Sequence, residues 1–326
     1  SFFCISPNLS NENADWTSPI VRDPSNYQTL YCGFENVVTS PDGGFNWLPT
    51  TALPPPPNFY GNELTALAVS PVNSNKIWAA RRVRHEYANP GALFLTTNGG
   101  SSWTDVTNNL PDTLYYTSLE TDQFSGGTAF VSLAGFTAGQ KIYKTINNGN
   151  AWTNITYNLP NIPVNCIKQI PGRNDLIAAT DIGVWMLAGG STTWVNISQG
   201  LPNVIVSDIE FNAALNKAYI STFGRGIWST DLSLLSGLNE TQNALLQFQV
   251  RPSLNNGQFT LQLPENTGGI AAVDILDIKG CLIQQSRIQG NQGLIRLEAA
   301  SGCYFVRVRQ GEKMGVQRII VSECEK

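Results

Sequence analysis

Trp103-Thr104-Asp105-Val106-Thr107-Asn108-Asn109-Leu110-Pro111 returns as Trp152-Thr153-Asn154-Ile155-Thr156-Tyr157-Asn158-Leu159-Pro160. It returns again as Trp194-Val195-Asn196-Ile197-Ser198-Gln199-Gly200-Leu201-Pro202. Three versions of one nine-residue phrase mark an internal repeat, which has to be tested before any other reading. Phe2-Phe3-Cys4-Ile5-Ser6-Pro7-Asn8-Leu9-Ser10 reads as a fourth, broken copy, and Trp47 opens a looser one. The anchors Phe2, Trp47, Trp103, Trp152 and Trp194 stand 45, 56, 49 and 42 residues apart. That period fits a four-stranded propeller blade.

A second signature precedes three of the anchors. Ser40-Pro41-Asp42-Gly43-Gly44-Phe45-Asn46-Trp47 has the form S-x-D-x-G-x-x-W. Thr96, Asn98, Gly100 and Trp103 repeat it, and so do Thr145, Asn147, Gly149 and Trp152. Leu187 to Trp194 keeps only the tryptophan. Such a run makes a hairpin turn: Asp or Asn bonds its own backbone, and glycine supplies positive φ at low cost. These residues resemble the Asp-box (BNR) repeat of sialidase-like, sortilin-like and xyloglucanase-like propellers. The resemblance implies turns between the third and fourth strands of a blade, with a structural role for Asp42, Asn98 and Asn147.

Inner strands follow the same period. Ile20–Arg22 precedes Thr29–Gly33, and Leu67–Val69 precedes Lys76–Ala80; Ile167–Ile170 precedes Leu176–Thr180, and Ile209–Phe211 precedes Ala218–Thr222. The last repeat, ending near Leu232, has three strands and no tryptophan-led fourth. We therefore expect an all-β propeller of about five blades, with residues 2–6 as the strand that completes the last blade. A piece of a longer propeller, or a strand donated to a neighbouring molecule, are the competing readings.

Composition agrees with this class and removes others. Gly (29) and Pro (18) punctuate short apolar runs, and charged residues are only 13%, about half the usual share. A net charge of −4 leaves no basic footprint for nucleic acid. No apolar run approaches the roughly 18 residues of a membrane-spanning helix. His85 is the single histidine, which argues against a metal site or a cofactor held by histidines. Ser1–Cys4 has no export signal, so an exported chain would already have lost it. The six cysteines, Cys4, Cys32, Cys166, Cys281, Cys303 and Cys324, show no CxxC spacing, and their even number fits disulfides in an oxidising compartment. The pairs we expect are Cys281 with Cys303, Cys4 with Cys32, and Cys324 with Cys166 or another subunit; buried free thiols are the alternative.

The pattern changes after residue 232. Residues 1–232 form the propeller, 233–243 a polar linker and 244–326 a small β-sandwich of about seven strands with alternating polarity. Four pieces of the last segment resemble the C-terminal sorting domain of type IX secretion substrates. They are Pro252 to Phe259, Val273 to Gly280, Gly302-Cys303-Tyr304-Phe305-Val306-Arg307-Val308, and Arg318 to Val321. The resemblance implies export by the type IX secretion machinery and an extracellular or surface-attached product. Three departures are a degraded first turn, the added Cys281 and Cys303, and the five residues after Val321.

For chemistry, the densest polar cluster is Arg81-Arg82-Val83-Arg84-His85-Glu86-Tyr87. Arg81, Arg82, Arg84, His85 and Tyr87 could hold a carboxylate or a sugar, and an internally paired loop is the alternative. Phe59, Tyr60, Tyr115, Tyr116 and Phe136 could stack on glycans. Asp23, Asp181 and Asp208 are the carboxylates near strand ends that a glycan hydrolase could use as a pair, but no catalytic residue is assigned. Asp112-Thr113-Leu114 fits a short O-glycosylation motif at Thr113. The expected role is a non-catalytic binding or structural module, with cell-surface glycans or further copies of itself as partners. A self-assembling surface subunit and a glycan-hydrolase fragment are the alternatives.

Overall fold

The computed structural model describes residues 5, 13–58, 61–235, 246, 248–264, 270–278, 280–311 and 313–322. Chain contacts divide it into two compact units, Ser1–Leu232 and Ser233–Lys326.

The first unit is five successive antiparallel meanders. Blade 1 is β1 (Ile20–Arg22), β2 (Leu30–Gly33), β3 (Val37–Ser40) and β4 (Leu48–Pro49). Blade 2 is β5 (Leu64–Val69), β6 (Ile77–Arg81), β7 (Ala92–Thr96) and β8 (Thr104–Asp105). Blade 3 is β9 (Tyr116–Thr121), β10 (Ala129–Leu133), β11 (Ile142–Thr145) and β12 (Thr153–Asn154). Blade 4 is β13 (Val164–Gln169), β14 (Leu176–Thr180), β15 (Gly183–Leu187) and β16 (Trp194–Asn196). Blade 5 has β17 (Val206–Asn212), β18 (Lys217–Thr222) and β19 (Gly226–Asp231). The second strands of blades 2, 3 and 4 are buried along their whole length. They are short and apolar at all but one position each, Arg81, Ser132 and Thr180, because blades cover both of their faces.

Inner strands pack in series, β1 on β5, β5 on β9, β9 on β13 and β13 on β17. No comparable strand contact joins β17 to β1 among the described residues. Polar side chains stitch the row. Thr65 Oγ1 donates to the Tyr116 carbonyl at 2.8 Å, Thr117 Oγ1 to Val164 at 2.6 Å, and Asn165 Nδ2 to Val206 at 3.0 Å. Each bond runs from the first strand of one blade to a backbone acceptor on the first strand of the next. The expected strand at residues 2–6 lies outside the described residues except for Ile5. The Ile5 carbonyl accepts from Trp47 Nε1 at 2.8 Å. Val106 takes the same part for Trp152 at 2.9 Å, and Ile155 for Trp194 at 2.9 Å.

The three box turns share one bonding scheme. Gly44 N donates to Ser40 Oγ at 2.7 Å, and Gly100 N and Gly149 N donate to Thr96 and Thr145 Oγ1 at 2.9 Å. The side chains of Asp42, Asn98 and Asn147 accept from the backbone four residues on, at 2.8, 2.9 and 3.0 Å. The Asn46 N–H and amide hold the Asp42 carboxyl below its ordinary value. Glycine is required at Gly149: its φ is 78°, and a Cβ there would lie 2.6 Å from Val106 Cβ.

The Asn of the Asn-Leu-Pro ending has a separate job. Asn109 Oδ1 accepts from Trp152 N at 2.9 Å, while its Nδ2 donates to Trp152 O at 2.8 Å. Asn158 grips Trp194 in the same two-handed way, at 2.6 and 2.9 Å. Each amide therefore fastens one blade to the outer strand of the next.

The second unit is a sandwich. One sheet orders β20 (Gln249–Arg251), β22 (Gln258–Gln262) and β25 (Gln292–Arg296). The other orders β21 (Leu254–Asn255), β27 (Lys313–Val321), β26 (Gly302–Gln310), β23 (Ile270–Leu276) and β24 (Leu282–Gln289). Phe259, Leu261 and Ile295 from the first sheet share one core with Val273, Ile275, Val306, Val308 and Ile319 from the second. Gly257 cannot be replaced cheaply, because a Cβ would lie 2.5 Å from the Leu297 carbonyl oxygen. Residues 236–245, most of the expected linker, lie outside the described residues.

The expected Cys281–Cys303 bridge is corrected here, and the expected pairs of Cys4 and of Cys324 fall on residues outside the described ones. Cys32, Cys166, Cys281 and Cys303 are free thiols, and Cys4 and Cys324 lie outside the described residues. The reason for Cys281 and Cys303 is strand order. Cys303 is on β26, Cys281 immediately precedes β24, and the sheet order puts β23 between those two strands. Two strand spacings are roughly 10 Å, beyond the roughly 7 Å limit for bridging Cα atoms. Burial raises the Cys32 and Cys166 thiols. Brief alkylation of the native protein should label exposed Cys281 first and reach Cys32 and Cys166 only on unfolding. A non-reducing peptide map that links Cys281 to Cys303 would refute this.

Candidate functional sites

The arginine cluster leaves β6 and enters a loop that closes with a short 3-10 turn, His85–Tyr87. Arg81 is not available to a ligand. It is 4% exposed, its guanidinium donates to the Pro54 carbonyl at 2.6 Å, and it lies 4.6 Å from the centroid of the Phe94 ring. Burial lowers it to about 10, against the pull of Asp105 and Glu35. Arg82 pairs with Asp15 at 2.5 Å, and Asp15 also accepts from the Tyr115 hydroxyl at 2.9 Å. Arg84 bridges Glu63 at 3.2 Å and Glu86 at 3.0 Å. Asn58 and Asn89 tie the loop to the segment after Pro54 through bonds of 2.9 and 3.1 Å. His85 and Tyr87 are exposed on the rim. Three of the five expected ligand groups are thus committed to holding this loop.

Among the aromatic residues, Tyr116 is fully buried and Phe136 is 72% exposed. Phe59 and Tyr60 lie outside the described residues. The carboxylates also have local partners. Asp23 accepts from Ser25 N and Ser25 Oγ at 2.7 Å, closing a turn. Asp181 accepts from Asn165 at 3.0 Å. Asp208 stands beside the buried Cys166 thiol and helps to raise it. Thr113 is exposed in a turn between blades 2 and 3. No cluster of three metal-ligating side chains occurs among the described residues.

A polar row on the inner strands was not anticipated from the sequence. Lys168 of β13 pairs with Glu210 of β17 at 2.9 Å. Glu120 of β9 accepts from Gln169 N at 3.1 Å. Burial pushes the Glu120 carboxyl up to about 7, although Lys168 and the Gln169 N–H pull it down. Its signal in the sequence is weak: Glu120, Lys168 and Glu210 share one register, opposite Phe130, Ile177 and Tyr219.

In the second unit, Asp274 is 1% exposed on β23. Arg307 and Arg309 of neighbouring β26 each reach its Oδ2 at 2.8 Å, and Gln285 of β24 donates to Oδ1 at 2.8 Å. Burial opposes this charge, but the donors and the two guanidiniums outweigh it and hold the carboxyl below its ordinary value. Residues 250–322 match the family described as the secretion system C-terminal sorting domain. This unit is a type IX secretion sorting domain. The sorting domain places the chain among proteins secreted to the cell surface or extracellular space and handled by the type IX machinery. No helix among the described residues is long and apolar enough to cross a membrane.

Solved structures resemble the chain in fold. The GH74 enzyme of Niastella koreensis aligns at a TM-score of 0.53 and 12% identity, over 96% of this chain and 46% of that one. The GH74 xyloglucanase of Xanthomonas campestris aligns at 0.53 and 9%, over 94% and 54%. The chain thus spans about half the length of these proteins. At such identities the likeness shows the propeller-type fold, and activity has to be argued from the site. No curated protein matches the sequence.

Proposed function

We propose that the secreted propeller binds cell-surface glycans without cleaving them. The observation that supports this is how the polar groups are spent. Asp23 closes a turn and Asp181 ties one blade's Asn165, while the arginine cluster braces its own loop. A hydrolase needs two carboxyl groups facing a cleft in different protonation states. The test is affinity electrophoresis of the full chain through gels containing plant or bacterial surface polysaccharides, run beside an assay for released reducing ends. Retarded migration without reducing ends is the expected result; no retardation in any gel would overturn the reading.

One observation favours the second reading, a fragment of a glycan hydrolase. Glu120 is a carboxyl poised near neutrality, as a general acid must be, and the propeller-type fold is shared with GH74 enzymes. Reducing ends that vanish in Glu120→Gln would establish it. Self-association has a candidate surface in β19, where Ile227 is 76% exposed and no described strand pairs with its outer edge. The native mass in solution decides that point.

A further inference from the structure

Blade 4 lacks the box turn, and a cleft takes its place. Ala188–Thr193 joins β15 to β16, held by Gly189 N donating to Asp175 Oδ1 at 2.7 Å. A cleft of about 910 Å³ opens there, at the junction of blades 3 and 4. Its walls include Phe130, Lys144, Tyr157, Arg173, Asn174 and the 187–192 segment.

Tyr157 is the unusual wall. It occupies the position of Asn108 in the repeated phrase, and both take a left-handed backbone, φ 44° and 41°. For Asn108 the conformation is inexpensive and useful, because its amide donates to the Gly149 carbonyl of the next box at 2.5 Å. The next box is missing after Tyr157. A bulky aromatic side chain therefore keeps a strained backbone with no structural bond in return, and such strain collects at functional sites. The residue is 45% exposed. The adjacent Asn158 is clamped to both polar groups of the Trp194 backbone, which anchors the chain next to Tyr157.

Two cations, Lys144 and Arg173, and two carboxylates, Asp122 and Asp175, line the cleft, and they differ in how far each is already engaged. Arg173 is ion-paired to Asp175. Asp122 is used by the Phe124 and Ser125 amides and by Gln169. The Lys144 ammonium lies 5.6 Å from the Phe130 ring centroid, and no carboxylate among the described residues is within ion-pairing distance. An exposed aromatic face, one cation outside any ion pair, a carboxylate already filled by its own donors and a polar wall of Asn174, Ser191 and Thr192 suit a sugar ring that carries a carboxylate. The ring stacks on Tyr157 and the carboxylate meets Lys144.

We propose that this cleft is a binding site for acidic saccharides, with Tyr157 as its stacking platform and Lys144 as its charge-reading residue. The proposal rests on the glycan-binding reading above and deepens it. Calorimetric titration of the full chain with galacturonate oligomers, and with neutral cello-oligomers of equal length, tests it. The acidic oligomer should bind, Tyr157→Ala should weaken it at least tenfold, and Lys144→Gln should erase the preference over the neutral probe. Tyr157→Asn should also lose affinity while its Tm rises by about 2–4 °C, which shows that the loss is not a folding defect. Unchanged affinity in Tyr157→Ala overturns the site and leaves the broader glycan reading standing. Equal affinity for the neutral probe overturns the acidic preference. No binding of either oligomer overturns the site, and the electrophoresis result then separately decides whether the broader reading falls as well.

Discussion

Trp194→Ala should destabilise the propeller unit by about 4 kcal/mol, the largest effect of any single truncation considered for that unit. Trp194 is 1% exposed and packs in the core that joins blades 3 and 4. Deleting a buried tryptophan side chain costs about 3–5 kcal/mol, because the cavity relaxes only in part. The indole also donates to the Ile155 carbonyl at 2.9 Å, so truncation orphans a buried acceptor. Trp194→Phe separates the two contributions. It keeps most of the apolar volume and should cost about 1–2 kcal/mol, largely for the unpaired carbonyl. Urea denaturation followed by circular dichroism gives both values. A loss below about 1.5 kcal/mol in the alanine variant would mean that the blades do not depend on this contact.

Asp274→Ala should cost the sorting domain about 3 kcal/mol. The carboxylate is buried at 1% exposure and receives Arg307, Arg309 and Gln285. Breaking a buried pair from one side costs about 3–5 kcal/mol. The lower end applies here, because the guanidiniums, 34% and 49% exposed, keep part of their hydration. The sign of the pH dependence follows from the lowered carboxyl. The folded state binds this proton less readily than the unfolded state. Its contribution is therefore complete above the unfolded value near pH 4 and is lost as pH falls through the lower folded value. Acid titration of the wild type should show this loss, and Asp274→Asn should flatten that part of the curve. An unchanged acid limb in Asp274→Asn would assign the acid sensitivity to other carboxylates.

Legibility in the sequence followed how local each interaction is. The box turns are local: Ser40, Asp42, Gly44 and Asn46 satisfy one another within seven residues, so the pattern carries its own geometry. The same holds for the alternating strands of the sorting domain. The arginine cluster was harder to judge, because its partners Asp15, Pro54 and Glu63 are distant in sequence. The cysteine pairing failed for a topological reason. Adjacent hairpins suggest adjacent strands, but the sheet places β23 between β24 and β26. Tyr157 was hidden inside a phrase read only as the mark of a repeat. Its signal was present in the substitution of Tyr for Asn at a repeat whose following blade has lost the box.

The two-handed asparagines also settle where one repeat ends. Asn109 and Asn158 lie after the outer strand of their own blade and grip the tryptophan that starts the outer strand of the next. The third copy of the phrase has Gly200 at this position, and blade 5, which follows, has no such tryptophan to grip. The heritable module is therefore offset from the visible sheet. It runs from one tryptophan to the next and carries both its grip and the socket for the previous one. A single sheet excised from its neighbours would therefore lose one half of each grip that it shares with them: blade 3 alone keeps Trp152 without Asn109.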